Sequence, residues 1–202
     1  MFVMTLDQRR SRREPDAVPD LLAALADDGL RTVLPFDRTA GDEVQGLLDD
    51  PAAVLDVVVR ALRTGRWSIG IGVGPTEEPL PDVVRAGRGP AYVDARDAVE
   101  AAKRAAHPVC VRATEAPEAA EDAETALWLL AAVLERRSDA GWEAVDVRAV
   151  HPTQAAAAEA LGISAQAMSQ RLDVAGWTDE GRGRSLAGRL LARADRPEEG
   201  PR

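Results

Sequence analysis

The heptapeptide Trp67-Ser-Ile-Gly-Ile-Gly-Val73 constrains the fold more than any other stretch. Ile69, Ile71 and Val73 alternate with Ser68, Gly70 and Gly72, so the segment reads as a strand with one face nearly bare of side chains. Glycine weakens a strand unless another backbone or a ligand must come close, and Gly74 extends the series. The rest of the chain must therefore supply a tightly packed helix or a bound molecule. Apolar spacing places further elements around this strand: strands at Phe2 to Leu6, Leu30 to Asp37, Val44 to Leu48 and Pro108 to Arg112. Helices are expected at Asp16 to Ala26, Pro51 to Leu62 and Ala91 to Ala105. The order is β-α-β-β-α-β-α-β, whose first six elements make a split βαβ arrangement. An antiparallel sheet with helices on one face follows.

That arrangement is ferredoxin-like, and Gly41-Asp42 falls at the apex of its hairpin. The nearest partner for an acidic tip is Asp7, at the end of the first strand. A strand ending in Asp, a Gly-Asp hairpin, an Ile-Gly-Ile-Gly strand and a late helix ending Ala101-Ala102-Lys103 resemble the palm fold of nucleotidyl and diguanylate cyclases. The resemblance implies Asp7 and Asp42 as metal carboxylates, with Glu43 beside them, holding Mg²⁺ against a nucleotide. Such a pair can clamp phosphates during in-line displacement. Arg12, Arg88 and Lys103 are the candidate ligand-binding cations. Arg12 lies in the Arg9–Arg13 cluster, and Arg88 in a Gly-Arg-Gly-Pro turn that opens a helix whose free N–H groups suit an anion. The chain departs from the cyclase pattern where Ala40 and Val44 stand at the ends of the signature, and no second acid follows Asp7 closely. These departures argue against turnover, so no catalytic residue is assigned. The plainer alternative is that Asp42 caps a turn and Asp7 pairs with a neighbouring arginine.

A formal charge of −9 over 202 residues excludes indiscriminate binding to nucleic acid or anionic membrane, so any DNA contact must be local. With 46% hydrophobic and 29% charged residues the chain folds. A single cysteine, no signal-peptide pattern and no apolar run long enough to span a bilayer predict a cytoplasmic location without a membrane partner. The expected division is a palm-related domain over 1–113, a linker over 114–122, a helical domain over 123–196 and a disordered tail over 197–202. Within the helical domain, helices are expected at Ala123 to Arg137 and Trp142 to Val150. A turn or small wing follows at Thr178 to Gly183, then a final helix from Ser185 to Ala194.

Residues 153–175 have the layout of a helix-turn-helix. Thr153 caps the first helix, Ala157 permits a close crossing and Leu161 plugs the core. Gly162 makes the turn, Ile163 packs in the elbow and Ser164 caps the second helix, on which Met168 and Leu172 face inward. Ala165, Gln166, Ser169 and Gln170 remain on the outer face, with Arg171 at its edge. Gln reads adenine bidentately, and Ala touches a thymine methyl. Arg171, Arg182, Arg184 and the N–H groups at Ser164 are expected to position phosphates. Acids and bases balance from His151 onward, so modest affinity, or a homodimer adding two half-sites, is expected.

Over most of its length the chain resembles the SatD family of actinobacterial proteins. The likeness rests on Asp7, Ser11 and Arg12, the Gly41–Leu47 hairpin, the Trp67–Val73 strand, Arg88-Gly-Pro-Ala91 and the segment from Gln154 through Ser164. It implies a DNA-binding protein and supplies no substrate. Two functions remain open: a DNA-binding regulator whose palm-like domain senses a nucleotide or metal, and a Mg-dependent cyclase-like enzyme that its helical part regulates.

Overall fold

A computed structural model describes residues 1–26 and 29–196; the expected tail at 197–202 lies outside the described residues. The architecture is α+β. Strands β1 (Phe2–Gln8), β2 (Leu34–Arg38), β3 (Glu43–Leu48), β4 (Trp67–Val73) and β5 (Val109–Arg112) form one sheet in the order β2-β3-β1-β4-β5. The pairs β2-β3, β3-β1 and β1-β4 are antiparallel, and β5 adds to β4 in parallel at the edge. Strand β2 begins four residues later than the apolar run predicts.

Helix α1 (Val18–Ala26) and helix α2 (Pro51–Thr64) cover one face of the sheet. Asp50 caps α2, accepting from the Ala52 N–H at 2.9 Å, and Gly65 ends it in the left-handed conformation. Helix α3 (Pro90–Ala102) lies on the other face, so the sheet is covered on both sides. The glycine strand explains how. A Cβ on Gly70 would stand 2.3 Å from the Val99 nitrogen, and one on Gly72 would stand 2.0 Å from the Ala91 carbonyl oxygen. A helix backbone, not a ligand, occupies the bare face of β4.

The C-terminal half departs from expectation in two places. Helix α4 (Pro117–Leu134) starts inside the segment 114–122 that reads as a linker. Its Ala119, Ala120 and Ala123 are buried in the main core, because alanine both favours helix and lets the backbone come close. The helix also completes the sheet edge: Glu124 accepts from the Val111 N–H at 2.8 Å, and the Trp128 indole donates to the Val109 carbonyl at 2.7 Å. Second, the expected turn or wing at Thr178 to Gly183 is absent. One helix, α8, runs from Trp177 to Asp195 through both glycines. Gly183 lies against Leu130, where an added Cβ would sit 3.4 Å from that side chain, and this intimate α4–α8 packing outweighs the helix cost of glycine.

Ala187, Leu191 and Ala194 of α8 therefore join the sheet's core. Between α4 and α8, helices α5 (Asp139–Val150), α6 (Gln154–Ala160) and α7 (Ala165–Val174) build a small core of their own. The physical division is thus a sheet unit that includes α4 and α8, carrying an inserted trihelical unit.

Candidate functional site

Most of the residues expected to act from sequence gather in two places. The first is a cleft at the C-terminal end of β1. Asp7 pairs in register with Glu43 of β3 and with Ser68 of β4, and the hairpin tip closes beside it because the Gln8 N–H donates to the Asp42 carbonyl at 3.1 Å. Gly41 turns the hairpin with a φ of 59°. On the third side, the end of α3 delivers Lys103, whose ammonium lies 3.0 Å from the Asp7 carboxylate and 2.6 Å from Glu100.

The loop after β1 forms the remaining wall and is pinned at both ends. The Arg9 N–H donates to the Arg66 carbonyl at 2.8 Å. Buried Gln8 donates its side-chain amide to the Pro15 carbonyl and accepts from the Ala17 N–H, both at 2.8 Å. Arg10 takes a positive φ of 59°, uncommon for a residue other than glycine, and its carbonyl accepts from the N–H groups of Arg13 and Glu14. The result is a cavity of about 520 Å³ bounded by Asp7, Asp42, Ser68, Lys103 and the Arg9–Arg13 loop. It continues into a second lobe past Arg38 and Asp16, which are ion-paired at 2.6 Å.

Of the residues expected from sequence, Asp7, Asp42, Arg12 and Lys103 come together here. Arg88 does not: it precedes the N-terminus of α3, and Lys103 follows its C-terminus, so the helix length separates them. Asp7 pairs with Lys103 and not with an arginine of the neighbouring loop. Arg9, Arg10, Arg13 and Ser68 line the same cavity, and the pinning role of Gln8 has no signal in a linear reading. Burial pushes the Asp7 carboxyl above the usual carboxylate range, against the hydrogen bond and charge of Lys103; the charges of Asp42 and Glu100 push it further. Burial works against the Lys103 charge, but hydrogen bonds to Glu100 and Asp7 outweigh it and raise its pKa.

A resident Mg²⁺ fits this donor set poorly. Hard divalent cations want several oxygen ligands, and Asp7 is already engaged by an ammonium. Among the described residues no group of three or more His, Cys, Asp or Glu side chains is placed to hold a metal ion.

The second place is the α5–α7 unit. Thr153 accepts from the Ala156 N–H and Ser164 from the Ala167 N–H, each at 3.1 Å, capping α6 and α7. Gly162 turns between them with a φ of 64°. Ala157 and Met168 are fully buried where the helices cross, with Leu172 beside them. Ala165, Gln166 and Gln170 are exposed, and Ser169 is half-buried. Arg171 stands at the edge, 3.2 Å from Glu143. Arg182 is exposed on α8, whereas Arg184 is ion-paired with Asp56 of α2 and so is tied into the sheet unit.

The contact between the two units has a centre that sequence reasoning missed. Trp142 of α5 reads as an ordinary core aromatic, yet its ring is flanked by two guanidinium groups, Arg63 at 4.6 Å and Arg137 at 4.3 Å. Arg63 reaches on to Asp146 with two hydrogen bonds, of 2.9 and 2.7 Å. Buried Arg137 donates to the Ala175 carbonyl and to Glu180, both at 2.8 Å. Among the described residues no helix is long and apolar enough to cross a membrane. No protein-family model, curated protein or solved structure matches the chain.

Proposed function

We propose that this chain is a DNA-binding regulator of the SatD type, whose α5–α7 unit reads the major groove. Its sheet unit is then a ferredoxin-like palm, related to that of nucleotidyl cyclases, that senses a ligand instead of turning one over. The observation that carries the reading is the pairing of α6 and α7: two capped helices joined through Gly162, with Gln166 and Gln170 exposed on the outer face of the second. Apolar residues at those positions would suit protein packing, whereas glutamine amides match the paired donor and acceptor on an adenine edge. The guanidinium groups around Trp142 supply a physical route from the sheet unit to α5, because Arg63 lies on α2 and Asp146 on α5.

The experiment is selection of bound fragments from the organism's own DNA at low salt, followed by the same selection with Gln166→Ala/Gln170→Ala. The reading expects a recurring sequence enriched by the parent and lost by the variant, which still binds DNA weakly through phosphates. Absence of enrichment by the parent refutes it.

A further inference from the structure

We infer that the cleft at the end of β1 is a metal-independent site for the polyphosphate group of a ligand, with Lys103 standing where a divalent cation would otherwise bridge Asp7 to the phosphates. The inference rests on the ligand-sensing half of the proposed function and not on DNA binding.

Three observations converge. Charge is the first: a chain of net charge −9 gathers five cationic side chains, Lys103 and the arginines at 9, 10, 12 and 13, around one cavity that holds two carboxylates. Of these carboxylates, Asp7 is neutralised by Lys103 at 3.0 Å. Arg9, Arg12 and Arg13 have no ion-pair partner among the described residues. Pre-organisation is the second, since Gln8 and Arg66 pin the arginine loop at both ends, so ordering it costs a ligand little. The N–H groups of Ser11 and Arg12 make no hydrogen bond within the described residues, and they follow directly on the left-handed Arg10, a backbone shape that gathers donors around an anion. Size is the third: a volume of about 520 Å³ is far more than one phosphate group fills and falls in the range of small-molecule sites. Guanidinium groups bind phosphate oxygens in bidentate fashion and ammonium groups as point charges, so this set suits two or three linked phosphates.

The test is calorimetric titration of the full-length protein with sodium tripolyphosphate in EDTA, repeated in excess Mg²⁺ at matched ionic strength. Saturable binding in EDTA is expected, weakened about tenfold or more by Lys103→Gln and by Arg12→Gln/Arg13→Gln, as fits the loss of charge-assisted contacts. Arg88→Gln, at the far end of α3, is expected to bind as the parent does. Asp7→Asn separates this reading from a metal clamp. Freed of the Asp7 charge and still held by Glu100, Lys103 should hold the anion as tightly as before or tighter, whereas a metal site would lose binding; Asp42→Asn serves the same purpose if Asp7→Asn fails to fold.

Adenosine and guanosine triphosphates, tested in parallel, distinguish a nucleotide from free polyphosphate by their affinity relative to tripolyphosphate. Either result supports the site. Binding that requires Mg²⁺ and disappears in Asp7→Asn overturns the inference. So does a parent that ignores tripolyphosphate while Lys103→Gln weakens duplex DNA binding, since the cations would then serve the DNA backbone. Because Gln166→Ala/Gln170→Ala leaves the cleft intact, it should keep full tripolyphosphate affinity, and failure of one reading is visible apart from the other.

Discussion

Replacing Gly72 by alanine tests whether α3 is seated on β4 as tightly as the packing indicates. The new Cβ would lie 2.0 Å from the Ala91 carbonyl oxygen, 2.3 Å from the Ala95 nitrogen and 2.9 Å from the Ala95 Cα, all of them backbone atoms of one helix. Carbon and carbonyl oxygen do not approach closer than about 3.3 Å, so α3 would have to retreat by roughly 1.3 Å. Rotamer changes cannot relieve contacts with backbone. Overpacking usually costs about 1–3 kcal/mol, and clashes with a rigid helix place this substitution near or above about 3 kcal/mol. For a domain of this size that lowers Tm by roughly 6–12 °C, a shift of about 2–4 °C per kcal/mol. The assay is urea and thermal unfolding beside Gly181→Ala, where an added Cβ meets nothing within 4 Å. That control sits inside α8 and should gain about 0.5–1 kcal/mol from helix propensity. A Gly72→Ala protein within about 1 kcal/mol of the parent would refute the close approach.

Three further outcomes follow from the same geometry. Arg137→Met takes from buried Glu180 its 2.8 Å partner, leaving only Arg184 at 3.8 Å, and should cost about 3 kcal/mol in urea unfolding, with part of the loss recovered when Glu180→Leu is added. No recovery would show that the Trp142 contact, and not the ion pair, dominates. Because the folded state raises the Asp7 pKa, the native protein holds that proton at a pH where the unfolded chain has released it. Stability contributed at Asp7 therefore falls as pH rises from the ordinary carboxylate range toward the raised value. Relative to the parent, Asp7→Asn should gain in urea midpoint over that rise, and a trend in the opposite direction contradicts the burial argument. Cys110 is buried and its thiol is pushed up to about 12 by desolvation, so it should resist thiol reagents in the native protein and react only on unfolding. Rapid native labelling would contradict its placement.

Much of this architecture is legible in the chain because its signals are local. Alternating apolar residues mark β4, Pro51 marks a helix start, and the Thr153 and Ser164 caps around Gly162 announce a paired-helix turn. The bare face of β4 poses the right question, and only three-dimensional packing answers it with α3. Where the reading fails, long-range contacts decide. The Ala- and Glu-rich 114–122 stretch lacks apolar periodicity, yet alanine becomes core when α4 can press against β5. Gly181 and Gly183 of α8 look like a break until the α4–α8 contact outweighs their cost. Asp7 and Asp42 are foreseeable as neighbours from a hairpin closing on the first strand. The Lys103 pairing is not, because it depends on where a helix almost a hundred residues away ends.

The central claim, that α7 reads DNA while arginines hold its backbone, is tested most directly by the salt dependence of binding to a duplex obtained by selection. Arg171→Gln should weaken binding to matched and scrambled duplexes alike and lower the slope of log K against log salt by about 1, the signature of one lost phosphate contact. Gln166→Ala should leave that slope unchanged while erasing the preference for the matched duplex, which a bidentate contact holds at about 1–3 kcal/mol. A parent protein with no preference at any salt concentration, or two variants with the same effect, would contradict the account.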